Sequence, residues 1–479
     1  MYKKTKIVAT VSDARCGVDF IQRLYDAGVN VVRLNTAHQG PEGMTRVINN
    51  VREVSSHIAI LVDTKGPEVR TTVCEEPIPF ARGEQVQVIG SPESITTHDC
   101  IAVSYPDFVA DVNIGAHILI DDGDLGLIVE DKTDEALICR VENAATLGAR
   151  KSVNVPGVRI NLPALTPRDR NNILFAIEAD VAFIAHSFVR SKEDVLEVKK
   201  ILNEHQSDIR IIAKIENQEG VDNIDEILEV ADGIMVARGD LGIEVDQKYI
   251  PGIQRRLVDK AIKAHKPVIV ATQMLQSMIK NPRPTRTEVT DIANAVYMRA
   301  DALMLSGETA YGSYPVEAVK TMVDIAMQAE KDVFADNNDV SLPLSDSCDM
   351  TEFFAKEAVN ATHKMQLRAI IMDSYTGRTA RYVSSFRGQC TILAICYQPH
   401  TVRHLALSYG VSAIYMPIKS YGHEFLLAAL RKLLGDGLLK PEDRICYLGS
   451  QRKEQRTSFM EMNTVKNLFE NDSPDTFPF

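Results

Sequence analysis

The sequence predicts an α/β protein: a (β/α)8 TIM barrel with an inserted small β domain and a C-terminal open α/β domain. Three observations predict it. Eight short β-branched runs alternate with amphipathic helical stretches before residue 310, the pattern of a parallel sheet built from βα units. A turn-rich segment interrupts that alternation once, after the third run. Beyond a polar stretch near residue 340, four further strand-like runs appear, separated by helices.

The barrel runs are KTKIVATV from Lys3, VNVVRLN from Val29, AILVDTKG from Ala59, DVAFIAHSF from Asp180, IRIIAKIE from Ile209, GIMVARGD from Gly233, KPVIVATQ from Lys266 and ADALMLSG from Ala300. Helical text follows seven of them closely. Examples are GVDNIDEILEV from Gly220 and YPVEAVKTMVDIAMQ from Tyr314, where apolar positions recur at three and four residues. After the third run, residues 70–168 carry Gly, Pro and Asp turn signals and alternating strands such as EQVQVIG and HILIDDG, which read as an inserted β domain. What remains, 1–69 with 169–345, is close to the about 250 residues of a (β/α)8 barrel. The stretch FADNNDVSLPLSDS from Phe334 is then a linker. Residues 346–479 form the third domain through LRAIIMDSY, CTILAICY, VSAIYMP and RICYLGS.

Composition narrows the function. The 479 residues are 45% hydrophobic, enough for packed cores, and 53 Lys and Arg against 65 Asp and Glu give a formal charge of -12. With no basic run to track a phosphate backbone, no nucleic-acid partner is expected. An acidic protein handles anionic substrates only by gathering Lys, Arg or cations at one place. Eight scattered cysteines without a CxxC pair predict a reducing, cytoplasmic compartment, with Cys390 and Cys396 as buried structural thiols. No window reaches the about 18 apolar residues of a membrane span, so a soluble chain and no membrane partner are expected.

Barrel enzymes place chemistry at the C-terminal strand ends. Here those ends carry Arg33 and Asn35, then Asp63, Thr64 and Lys65, then Ser187, then Lys214 and Glu216. Arg238, Gly239 and Asp240, then Thr272, and finally Ser306 and Glu308 complete the ring. For a single Thr or Ser, emergence into water explains the polarity equally well. Convergence of Lys, Glu, Arg and Asp on one mouth does not reduce to solvation, and Lys214 and Glu216, two apart on one strand, point to the same face. Such a set suits phosphoryl transfer, which needs positioning and charge neutralisation. Glu216 and Asp240 can hold Mg2+ with positions left for substrate oxygens. A tight turn at Gly239 and Asp240 would offer backbone N–H groups to a carboxylate.

The strings DTKGPEVR from Asp63, KIENQEG from Lys214, MVARGDLGIE from Met235, ATQMLQSMIKNPRPTR from Ala271 and SGETAYGSYPVEAVKTM from Ser306 resemble those of the pyruvate kinase family. The resemblance covers essentially the whole chain. It implies transfer of the phosphoryl group of phosphoenolpyruvate to ADP, giving pyruvate and ATP. It also implies an inserted β-barrel that closes as a lid, a regulatory C-terminal domain and a homotetramer. By the same resemblance Glu216 and Asp240 bind Mg2+ or Mn2+, Lys214 stabilises the transferring phosphoryl group and the enolate, and Arg33 binds phosphate. Ser187, Gly239, Asp240 and Thr272 contact substrate, and Thr272, Ser306 and Glu308 organise proton delivery to enolpyruvate. Asn35, His38, Arg70 and Arg168 meet the nucleotide. For Arg70 and Arg168, salt bridges at the lid hinge are an equal reading.

Potassium ligands map to Asn35, Asp63 and Thr64. The usual RLNFSHG of the family reads RLNTAHQG here, so Ala37 replaces a ligand hydroxyl, whereas Glu68 is the residue type of potassium-dependent members. Dependence on K+ is the expectation, because the charge of Glu68 needs a cation to offset it. Near the start the family's TIGP is TVSDA from Thr10, which alters a loop and no catalytic group. In DSYTGRTARYV from Asp373, Ser374, Thr376, Gly377 and Thr379 keep the pattern of the family's effector phosphate loop, so a phosphorylated effector is expected. The second effector loop, GSQRKEQRTSFMEM from Gly449, has lost its glycines and gained Arg452, Lys453 and Arg456, either for an effector or as a solvated loop. From Asn467 the tail lacks pattern. Two other readings use similar residues. A lyase or aldolase barrel acting without nucleotide is opposed by the inserted domain and Arg70, and a non-catalytic binding barrel by the intact Lys214, Glu216, Asp240 and Thr272.

Overall fold

A computed structural model describes residues 3–335, 342–345, 347–417, 422–450 and 457–470. Each of the eight β-branched runs forms a strand, and together they close a parallel barrel: Lys6–Thr10, Val31–Asn35, Ala59–Asp63, Phe183–His186, Arg210–Ile215, Gly233–Ala237, Val268–Ala271 and Ala302–Leu305. The first strand pairs with the second (Val8 opposite Val31) and with the eighth (Lys6 opposite Ala302), which closes the ring. Because side chains alternate across a strand, one set fills the interior: Val8, Val31, Leu61, Phe183, Ile212, Met235, Ile269 and Met304. The alternate set, including Ile7, Val32, Val62, Ile184 and Val236, packs on the surrounding helices.

The inserted domain holds a seven-stranded sheet whose edge strands are Val69–Arg70 and Cys100–Val103. A bridge between Thr71 and Val103 joins its two edges, with the Thr72 N–H donating to Ala102 O at 2.9 Å, so the sheet closes into a small barrel without free edges. Its own apolar core includes Val86, Ile101, Phe108, Ile118 and Leu127.

In the C-terminal domain the four expected strands are parallel, Ala369–Ser374, Thr391–Cys396, Val411–Tyr415 and Arg444–Gly449. A fifth, Phe459–Thr464, adds antiparallel at the edge. This corrects the sequence reading, which placed FMEM in a loop: pairing with Arg444–Gly449 makes it a strand despite its weak alternation. The tail read as patternless from Asn467 likewise begins inside a helix, Val465–Glu470, whose Leu468 and Phe469 are buried. Residues on alternate faces of this sheet pack on different helices, Ile371 and Leu393 with Phe425 and Leu430, and Met372 and Ala394 with Ala355 and Val383. Both faces are thus covered, as parallel sheets require. Cys396 is buried, and burial pushes its thiol up to about 12.

A buried ion pair docks this domain under the barrel. Arg387 meets Asp301, at the foot of the eighth strand, through both guanidinium ends at 3.0 and 2.7 Å. Asp301 also accepts the Tyr409 and Val268 N–H groups, both at 3.1 Å. Arg387→Met leaves a buried carboxylate without its cation, so a stability loss of about 3–5 kcal/mol is expected, read as a lowered Tm.

Candidate active site

Four strand ends, those of strands two to five, build a charged centre at the C-terminal mouth. Lys214 Nζ lies 3.2 Å from Asp63 Oδ1 and 2.9 Å from Glu216 Oε1, and donates to Ser187 Oγ at 2.7 Å. Arg33 donates through Nε to Asp63 Oδ2 at 2.6 Å and through its terminal nitrogen to Thr10 Oγ1 at 3.1 Å. Lys214, Glu216, Arg33 and Asp63 are all buried. Burial alone would lower the Lys214 ammonium; the carboxylates of Asp63, Glu216 and Asp240 outweigh it and hold it above the ordinary lysine range. Burial also works against the Asp63 charge, but Arg33 and Lys214 keep that carboxyl below its usual value. Glu216 is shifted upward, by burial first and by the nearby charge of Asp240, with Lys214 opposing. One of its oxygens accepts the Phe188 N–H at 2.7 Å, where Phe188 is left-handed at φ 55°.

The other oxygen, Oε1, touches Lys214 without hydrogen-bond alignment and has no other partner. A buried carboxylate oxygen in that state, near a second carboxylate on Asp240, is a hard-oxygen donor set that fits Mg2+. Among the described residues no three His, Cys, Asp or Glu form a closed cage. Two carboxylates with open positions are the arrangement for a metal shared with phosphate-bearing substrates.

At strand six the expected turn is instead the first turn of a helix, Arg238–Glu244. Its Gly239 N–H donates to Thr272 Oγ1 at 2.8 Å rather than standing free for an anion. Thr272 has φ 67°, unusual for a β-branched residue, and Arg238 fixes this loop by donating to Thr272 O at 2.6 Å and to both Asp291 oxygens at 2.8 and 2.7 Å. Glu308, also buried, accepts the Leu275 N–H at 3.0 Å and the Ser306 N–H at 2.8 Å. Its carboxylate therefore braces the loops after strands seven and eight, while no described hydrogen bond joins Thr272 to Ser306.

Residues 2–319 match the family model "Pyruvate kinase, barrel domain" and residues 352–465 match "Pyruvate kinase, alpha/beta domain". The chain belongs to the pyruvate kinase family. It is 44% identical over 474 residues to a pyruvate kinase of Borreliella burgdorferi, an alignment covering 97% of this chain and 98% of that one. Identity to a pyruvate kinase of Bacillus licheniformis is 45% over 481 residues, covering 97% and 81%. The crystal structure of a pyruvate kinase from Cryptosporidium parvum superposes with a TM-score of 0.90 at 35% identity, covering 97% of this chain and 96% of that one. This chain is thus a phosphotransferase that converts phosphoenolpyruvate and ADP to pyruvate and ATP.

In this pyruvate kinase fold the expected nucleotide residues lie on the rim. His38 is exposed; Asn35 accepts the Ala37 N–H at 3.0 Å. Arg70 bonds Glu68 at 2.8 Å and Arg150 O at 2.8 Å, and Arg168 donates to Thr36 O. Glu68 also meets Lys65 at 3.3 Å. Its charge is therefore offset by Lys65 and Arg70, so the expectation of a cation loses that support. Thr64 donates to Ala185 O at 3.3 Å and accepts the Ser187 N–H at 3.1 Å, with Asp63 beside it engaged as above.

Sequence reasoning missed Asp169. It pairs with Thr166 in a capping box at the start of the helix Pro167–Glu178, and its Oδ1 accepts the Lys65 and Gly66 N–H groups at 3.1 and 3.2 Å. One carboxylate thereby ties the outgoing and returning hinge segments of the lid. The T-x-x-D spacing from Thr166 was the available signal. Gly66 is left-handed at φ 74°, and a Cβ there would meet Ser187 at 2.9 Å.

At the loop where a phosphorylated effector is expected, Ser374 Oγ accepts the Gly377 N–H at 3.0 Å, Gly377 is left-handed at φ 79°, and the Arg381 guanidinium donates to Thr376 O at 3.1 Å. Thr379 bonds Thr457 across to the second loop at 2.9 Å. Arg452, Lys453 and Arg456 lie outside the described residues.

Proposed function

We propose that phosphoryl transfer takes place at the mouth formed by strands two to eight, with residues 70–168 as the lid, 1–69 and 169–345 as the barrel and 346–479 as the regulatory domain. The observation that carries this reading is Lys214 held between Asp63 and Glu216, at 3.2 and 2.9 Å. Its ammonium sits where negative charge gathers as the enol oxygen–phosphorus bond breaks and a bond to the terminal ADP phosphate oxygen forms. Arg33 neutralises the phosphate, and Ser187, Gly239 and Asp240 orient the substrate. Enolpyruvate then takes a proton at carbon, delivered on the Thr272 side through water ordered by Ser306 and the loops that Glu308 braces. Glu216 and Asp240 would hold Mg2+ or Mn2+, which supplies charge neutralisation on phosphoryl and enolate oxygens. Asn35, His38, Arg70 and Arg168 are the nucleotide contacts.

Asn35, Asp63 and Thr64 would hold K+, supported by their adjacency at the ends of paired strands two and three, where Asn35 lies opposite Asp63. The test is pyruvate formation in KCl against tetramethylammonium chloride at equal ionic strength. A markedly faster rate in KCl is expected; equal rates would remove potassium from the site and make the loss of a hydroxyl at Ala37 the reason.

A cytoplasmic homotetramer regulated by a phosphorylated effector at Ser374, Thr376, Gly377 and Thr379 completes the reading. Exposed Tyr249 and Tyr311 on the barrel, and Met462 on the edge strand of the C-terminal sheet, are surfaces a second copy would cover.

A further inference from the structure

The lid reaches the barrel wall at a point that the reaction chemistry does not use. Asn154, the last residue of the lid strand Ser152–Asn154, donates through Nδ2 to Glu244 Oε1 at 2.9 Å. Glu244 is the final residue of the helix that opens with Arg238, Gly239 and Asp240. That helix is short, so a pull at one end is felt within two turns at Asp240. Together these residues border a cleft of about 520 Å³ between lid and barrel, which Asp240 also lines. Burial raises the Glu244 carboxyl above its usual value, and the Asn154 amide opposes that shift. A partly buried carboxylate oxygen with a single lid partner loses stabilising free energy when that partner leaves.

We propose that the Asn154–Glu244 hydrogen bond is the latch that sets the closed position of the lid, and that Glu244 is a positioning residue acting through the Arg238–Glu244 helix on Asp240. Neither residue touches the reacting atoms. Closing the latch brings the lid over the mouth and steadies the carboxylate that faces substrate; opening it frees the lid to swing on the hinge at Lys65, Gly66 and Thr166. The inference rests on Asp240 belonging to the site, so the test includes a readout independent of turnover.

Glu244→Ala, Asn154→Ala, the double variant and Glu244→Gln are compared in the full chain by steady-state kinetics and by hydrogen exchange over residues 65–70 and 152–166. Each alanine variant should lower kcat/KM for ADP roughly tenfold, as loss of a hydrogen bond to a charged acceptor predicts. The double variant should be no worse than either single, because both remove the same bond. Exchange in the two hinge segments should rise equally in all three. Glu244→Gln keeps an acceptor oxygen for Asn154 and should restore both readouts to near wild type. Multiplying losses in the double variant, unchanged hinge exchange in the alanine variants, or a glutamine variant as impaired as the alanine one would each overturn the latch. Loss of activity in Asp240→Asn with no coupling between Asn154 and Glu244 would sink the latch alone and leave the site standing.

Discussion

Lys214→Met lowers kcat by about a thousandfold or more while changing the KM for phosphoenolpyruvate by less than about threefold. The ammonium contacts Asp63, Glu216 and Ser187 in the resting protein, yet its charge is most valuable when the bridging oxygen becomes an enolate. Methionine keeps most of the length and bulk of the side chain and removes the charge and donors. Asp63 retains Arg33 at 2.6 Å, so the centre loses one cation and keeps another. Steady-state kinetics at saturating Mg2+, with a thermal melt to show that the variant is folded, separates the two constants. A loss carried equally by KM and kcat would assign Lys214 to ground-state binding instead.

The second large effect is expected at Glu216. Glu216→Gln preserves shape and an acceptor for the Phe188 N–H, bonded at 2.7 Å in the wild type, so the loop after strand four should hold. It removes the negative charge that Mg2+ needs and leaves an amide nitrogen free to face the Lys214 ammonium. The Mg2+ concentration for half-maximal rate should rise, and kcat/KM for phosphoenolpyruvate at fixed Mg2+ should fall about a hundredfold or more. A magnesium titration of both proteins reads this directly, and an unchanged midpoint would take Glu216 out of the metal set.

Much of this was legible because barrel strands carry two messages at once. Runs such as GIMVA and VIVA are too apolar and β-branched to be anything but buried strands, and the first polar residue after each marks the mouth. That is how Lys214, Glu216 and Thr272 stood out. The parts that were not legible depend on long-range pairing. Phe459–Thr464 became a strand only because Arg444–Gly449 offered an open edge. Gly239 looked free to bind an anion, but the left-handed Thr272, 33 residues on, takes its N–H. Glu68 looked like an uncompensated charge, though Lys65 and Arg70, its neighbours in sequence, fold back on it. Asp169 went unread although the T-x-x-D spacing from Thr166 marks a helix cap, and only the fold shows that the same carboxylate fastens Lys65 and Gly66.

A mouth that moves a phosphoryl group from phosphoenolpyruvate to ADP must release pyruvate and ATP together. Purified protein with Mg2+ and KCl should be given phosphoenolpyruvate with and without ADP, and pyruvate and ATP measured together. Equal amounts of pyruvate and ATP, formed only when ADP is present, are the predicted result. Pyruvate formed at the same rate without ADP, or none at all from folded protein, would contradict it.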